Sequence, residues 1–173
     1  DAPQPWDRTA AQFAATAEAL EEELARRVED AREAVDAPRA LLVSVAAQPR
    51  IMQERNLDEL AELARTAGLT VAGRMVQRVA QVNPRLILGK GKVAELEVLA
   101  LQSRAGMLVF DGELSPAQLH NLADITERKV IDRTQLILDI FAQHAVSRAG
   151  KLQVELAQLR YTQPRLVGKN RAM

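Results

Sequence analysis

The sequence predicts an α/β fold. A small, mostly parallel sheet with flanking helices is followed by an antiparallel two-helix hairpin and preceded by an extra N-terminal helix. Three observations predict it. Strand-like apolar runs alternate with helical periodicity from Arg39 to Asp132, the pattern of parallel strands joined by right-handed crossovers. The runs RALLVSV (39–45) and MLVF (107–110) are continuously apolar, as strands covered on both faces are. Two apolar stripes at helical spacing then follow each other after Asp132. The predicted organisation is an acidic helical extension (1–38), an α/β subdomain (39–132), a helical hairpin (133–163) and a basic linker (164–173).

Each element has a local reason. Residues 10–35 are rich in Ala, Glu and Arg and hold no Gly or Pro. Phe13, Leu20, Leu24 and Val28 form a weak stripe, and Glu22–Arg26 and Glu23–Arg27 are favourable i,i+4 pairs. This reads as a solvated helix lying loosely on the main domain. Asp36-Ala37-Pro38 ends it. After the strand at 39–45 a loop is expected over 46–55, with Asn56 capping a helix that carries Leu57, Leu60, Leu63 and Ala64. Gly68 closes that helix. One or two strands interrupted by Gly73 follow within 69–82. Leu86-Ile87-Leu88 reads as a strand, Gly89-Lys90-Gly91-Lys92 as a turn, and 93–103 as a helix. The next unit repeats the pattern: a strand at 107–110, a turn at Asp111-Gly112-Glu113, then a helix capped by Ser115 with Pro116 at its first position. Val130-Ile131 is a last short strand. Thr134 is placed to cap the first hairpin helix, whose stripe is Leu136, Ile137, Ile140 and Phe141. Leu152, Leu156 and Leu159 form the second stripe, and the two are expected to hide each other.

Composition narrows the function. Of 173 residues 47% are hydrophobic but only 3% aromatic, so the core is built from Leu, Val and Ala. The absence of cysteine excludes disulfides and thiolate metal sites and suits a reducing cytoplasm. No apolar run approaches the ~18 residues of a membrane span, and the first residues lack a secretory pattern. The net charge of +0 hides an asymmetry. Residues 1–36 hold ten acids and four arginines, a net of −6, whereas residues 133–173 hold seven bases and two acids, a net of +5. A basic third of a chain attracts nucleic acid, although a solvated surface is the plainer reading of charge alone.

Two segments are candidate sites. The hairpin tip offers Gln143, His144, Ser147, Arg148 and Lys151 as donors and charges, while Val146 and Gly150, with two alanines, keep it narrow. A projecting cationic tip suits insertion into something anionic and deep; the plain alternative is a helix connection. Gly89, Lys90, Gly91 and Lys92 form a glycine turn entering a helix, where free amides face an anion. The plain alternative there is a tight turn needing positive φ. This is not a Walker motif, since no G-x-x-x-x-G-K-[ST] occurs. Asp111 and Glu113 are turn chemistry before a helix, Asp132-Arg133 is a junction salt bridge or cap, His120 is a surface or packing residue within a helix, and His144 has no partner to act with, so the two histidines make no zinc site. No catalytic residue and no metal ligand is assigned. Trp6 and Tyr161 are too sparse to form a base-stacking platform.

Four blocks in order, GKGKVAEL, VFDGELSPAQ, VIDRTQLILDIFAQ and GKLQVELAQL, resemble the N-terminal domain of the HflX family of ribosome-associated GTPases, over roughly residues 40–173. The resemblance implies that the tip reaches the peptidyl-transferase region of the large ribosomal subunit and touches 23S ribosomal RNA. It implies ribosome splitting or rescue under stress by a cytoplasmic monomer that binds no DNA and spans no membrane. GTP and Mg2+ are implied for a GTPase domain beyond Met173, with no cofactor in this chain. Arg165, Lys169 and Arg171 would lie in the basic linker leading there and could touch RNA. The turn at 89–92 would contact RNA backbone in preference to a nucleotide. The alternatives are an ATP-binding, RNA-remodelling domain using that turn, and a domain that only regulates its GTPase neighbour.

Overall fold

The computed structural model describes residues 5–166. The chain divides after Ala37 into two compact units. The first is one helix, α1 (Pro5–Asp36), which starts five residues before its Ala-rich stretch and stops at Asp36, short of Pro38. Proline disfavours helical backbone in the residue before it. Arg27 pairs with Glu23 at 2.8 Å.

The second unit contains one all-parallel sheet of β1 (Arg39–Ala46), β2 (Thr70–Arg78), β3 (Met107–Asp111) and β4 (Lys129–Asp132), in the order β2-β1-β3-β4. Helices α2 (Arg50–Thr66), α3 (Lys90–Gln102) and α4 (Pro116–Thr126) make the crossovers. Right-handed connections fix their sides: stepping from β1 to β2 puts α2 on one face, and stepping back past β1 puts α3 and α4 on the other. Side chains alternate across the strands. Leu41, Val43, Leu108 and Phe110 therefore meet Val93, Leu96 and Leu122 on one face. Ala40, Leu42, Val109 and Ile131 meet Leu57, Leu60 and Ala64 on the other, where Leu136 of α5 (Arg133–His144) joins them. Helix α6 (Arg148–Leu166) completes the hairpin.

Local signals explain the boundaries that agree with sequence. Gly68 adopts φ +83 after α2. Its amide bonds Arg65 O at 3.0 Å and the Leu69 amide bonds Ala64 O at 2.9 Å, the two bonds of a Schellman ending. Ser115 and Gln118 form a reciprocal capping box, with Pro116 at the start of α4. Gly73 sits where β2 slips register against β1, and a Cβ there would approach Leu41 Cδ1 to 3.2 Å.

Other boundaries differ. Helix α2 begins at Arg50 behind Pro49, not at Asn56. Its first turn exposes Ile51 and Met52 and so lacks the apolar periodicity that reveals a helix. Asn56 lies inside it and donates to Gln48 Oε1 at 3.2 Å. Leu86-Ile87-Leu88 is not a strand. Asn83 ties this segment into a turn, its side chain accepting from the Arg85 and Leu86 amides and its carbonyl from Ile87. Ile87 and Leu88 plug the core from that turn, which is why an apolar triplet imitates a strand. Helix α3 starts at Lys90, so all four glycine-turn residues become its cap and first turn. Asp132, not Thr134, caps α5. Helix α6 runs through Pro164 to Leu166, beyond the expected hairpin end.

The two hairpin stripes do not hide each other. Leu136 and Ile140 turn toward the α2 side of the sheet core, while Phe141, Leu152, Leu156 and Leu159 stay about half exposed or more. Burial against an existing core removes more apolar surface from water than a two-helix contact can.

Candidate functional site

Residues 145–147 alone separate α5 from α6. The Ser147 hydroxyl accepts from the Gly150 amide at 3.0 Å, and its carbonyl accepts from the Lys151 amide at 2.9 Å. Ser147 thus closes the first turn of α6, satisfying donors that a helix start leaves free. A Cβ on Gly150 would lie 2.9 Å from the Ser147 oxygen, so glycine keeps this bond possible. Gly150 therefore belongs to a helix turn and not to the loop. Val146 forms the apex and is 92% exposed.

The predicted tip residues separate into two groups. Arg148 and Lys151 are exposed, and among the described residues neither has an ion-pair or hydrogen-bonded side-chain partner. Gln143 and His144 face back toward the body and their own helix. Gln143 Nε2 donates to Ala67 O, the carbonyl at the end of α2, at 3.1 Å. His144 Nδ1 meets Ile140 O at 2.8 Å, so that nitrogen carries the proton. Gln143 thus ties the hairpin to the end of α2 and His144 bonds within its own helix, leaving the cationic pair free at the end.

The turn at 89–92 is less open than its sequence promises. Gly89 is the N-cap with φ −68, so no left-handed backbone is required. Its carbonyl takes the Lys92 and Val93 amides, and the Lys92 ammonium is held by Glu95 at 2.9 Å. Lys90 remains exposed and unpaired among the described residues.

Parallel order reverses between β1 and β3, and crevices form beyond the strand ends at such points. Here one of about 430 Å³ is lined by Ser44, Gln48, Asn56, Asp111, Gln118 and Arg133, among others; the lysines of the glycine turn lie outside it. Arg133 spans Asp111 at 3.1 Å and Glu59 at 3.1 Å. Burial works against its charge, but the two carboxylates outweigh this and hold its pKa above the ordinary value.

Beside the crevice lies an arrangement that sequence reasoning missed. Asp132 is 1% exposed. It accepts from the Leu114 and Gln135 amides, each at 3.0 Å, and from the Tyr161 hydroxyl. Burial first, and the Asp132 carboxylate second, raise the Tyr161 pKa. The Arg165 guanidinium lies 3.6 Å from the centre of the Tyr161 ring. It also bonds Leu114 O at 2.8 Å, Tyr161 O at 2.9 Å and Glu113 at 3.4 Å. With its side chain only 9% exposed, Arg165 is no solvated linker charge. These residues clasp the base of α6 to the end of the sheet. The i,i+4 spacing of Tyr161 and Arg165 was the one available signal. Lys169 and Arg171 lie outside the described residues.

Among the described residues no group of three His, Cys, Asp or Glu could hold a metal, and no helix is long and apolar enough to cross a membrane.

Comparison with known proteins agrees with this architecture. Residues 54–142 match the family described as GTP-binding GTPase N-terminal, and residues 144–173 match the GTP-binding GTPase Middle Region. The chain is 48% identical over 130 residues to GTPase HflX of Lacrimispora saccharolytica, covering 75% of this chain and 31% of that protein. It is 42% identical over 118 residues to GTPase HflX of Escherichia coli, covering 66% and 28%. A crystal structure of an SsGBP variant superposes with TM-score 0.61 at 25% identity, over 78% of this chain and 41% of that one. A GTP-binding protein of Sulfolobus solfataricus in complex with GDP shares the fold with TM-score 0.59 at 24% identity, over 78% and 39%. The chain thus spans about three tenths of the length of these HflX relatives. It belongs to the HflX GTPase family, of which it holds the N-terminal region and, over residues 144–173, a match to the middle region.

Proposed function

We propose that this region binds the large ribosomal subunit through its hairpin tip, within a longer, cytoplasmic protein whose GTPase domain binds GTP with Mg2+. The observation that carries the reading is the pair Arg148 and Lys151, exposed and without acidic partners in the Ser147-capped first turn of α6. Cations left unpaired at a projecting end lose little on meeting phosphate and gain charge-assisted bonds there. The tip enters the peptidyl-transferase region and contacts 23S ribosomal RNA. The α/β part lies near the subunit interface, where it displaces what bridges the subunits and so helps to split or rescue stalled ribosomes under stress. The turn at 89–92 contributes less, because only Lys90 of its two lysines is free among the described residues. The same restraint counts against an ATP site there. Replacing both Arg148 and Lys151 by alanine tests the reading: large-subunit co-sedimentation should fall, and unchanged co-sedimentation would remove the tip from the mechanism.

A second reading draws on the clasp at Asp132, Tyr161 and Arg165. A hairpin root tied to the sheet can relay strain toward a neighbouring GTPase domain, so the region would act as a regulator. Equal ribosome affinity of the parent protein with and without this region would favour it.

A further inference from the structure

Helix α1 lies before both family matches, the first of which starts at residue 54. Among its apolar residues, Phe13, Ala17, Leu20, Leu24, Val28, Ala31 and Val35 fall along one side by helical rotation. The spacing is 4, 3, 4 and then 4, 3, 4 again, two copies of an 11-residue repeat. That period, about 3.67 residues per turn, keeps a stripe on one face of a helix. Phe13, Leu20, Leu24 and Val28 are 76%, 56%, 61% and 50% exposed. A long helix presenting such a stripe to water calls for a partner helix.

We propose that α1 pairs antiparallel with α1 of a second copy of this chain, about a two-fold axis at Leu24. Two observations select this occupant. The stripe reads alike in both directions from Leu24: Phe13 matches Val35, Ala17 matches Ala31, and Leu20 matches Val28. A two-fold interface requires a self-complementary surface of this kind. The flanking charges then choose the direction. By helical rotation Glu21 and Arg32 lie along one flank of the stripe, and Glu23 and Arg27 along the other. Antiparallel pairing lays each flank against its own reverse, bringing Glu21 toward Arg32 and Glu23 toward Arg27. Parallel pairing lays one flank against the other, setting Glu21 against Glu23 and Arg27 against Arg32, where like charges oppose association. Neither Glu21 nor Arg32 has an ion-pair partner among the described residues. Pairing through α1 replaces the monomer expected from sequence and is independent of the ribosomal reading.

The chain lacks cysteine, so single cysteines report the pairing directly. Ala17→Cys and Ala31→Cys variants of the 173-residue chain are prepared separately, then oxidised alone and mixed. The expected result is a disulfide dimer joining one of each in the mixture, little product from either alone, and a self-linked dimer from Leu24→Cys. Sedimentation equilibrium of the cysteine-free chain should show a concentration-dependent dimer that Leu24→Glu abolishes. A chain that stays monomeric up to its solubility limit overturns the proposal, as does Ala17→Cys linking to itself and not to Ala31→Cys.

Discussion

Replacing Tyr161 by phenylalanine removes one bond of the clasp and little else. Asp132 is 1% exposed and accepts from two backbone amides and the Tyr161 hydroxyl. The variant keeps the ring under Arg165 but leaves a buried carboxylate one donor short. Hydrogen bonds to charged groups contribute about 1.5–3 kcal/mol. Tyr161 is only half-buried, so water can partly replace its hydroxyl, and the loss should fall near ~1.5 kcal/mol at the lower end of that range. Urea unfolding followed by helical circular dichroism measures it, with exposed Arg160→Ala as a control expected within ~0.5 kcal/mol of the parent. Tyr161 is the only tyrosine in the chain, so phenolate absorbance gives a second readout. Its pKa is raised by burial and then by Asp132, so folding favours the protonated phenol. That contribution is complete below the unfolded value of about 10 and is lost as pH rises through the folded value. The parent should therefore lose stability at alkaline pH in a way that Tyr161→Phe does not. A stability change under ~0.5 kcal/mol, with phenolate appearing at the unperturbed pH, would refute the clasp.

Three further outcomes are expected. Gly68→Ala places a side chain at φ +83 and should cost about 1–2 kcal/mol in urea unfolding. Ser115→Ala removes the capping box at α4 and should cost ~1 kcal/mol by the same assay. If Arg148 and Lys151 each meet a phosphate, alanine at both should flatten the salt dependence of large-subunit binding, lowering the slope of log affinity against log salt by about 1 per residue.

Local chemistry made much of the fold legible. The apolar run within RALLVSV fits a strand covered on both faces, and β1 is such a strand. Gly68, Ser115 and Pro116 mark helix ends through φ, a hydroxyl and a missing amide, all properties of single residues. Sequence misled where burial depends on distant partners. Leu86-Ile87-Leu88 is apolar because a turn plugs the core, not because it pairs in the sheet. The first turn of α2 is hidden because Ile51 and Met52 face water. The hairpin leucines read as half of a closed pair, yet α5 spends its apolar face on the sheet core. At the candidate site, the charge of Arg148 and Lys151 was visible in sequence. The inward duties of Gln143 and Arg165 were not, because Ala67 and Leu114 accept through backbone carbonyls far along the chain.

Co-sedimentation of the 173-residue chain with purified large and small subunits, without nucleotide and at two salt concentrations, tests the central claim most directly. The account predicts pelleting with the large subunit alone, weakening at the higher salt as phosphate contacts are screened. Pelleting with neither subunit, or equally with both, would contradict the placing of large-subunit recognition in these residues.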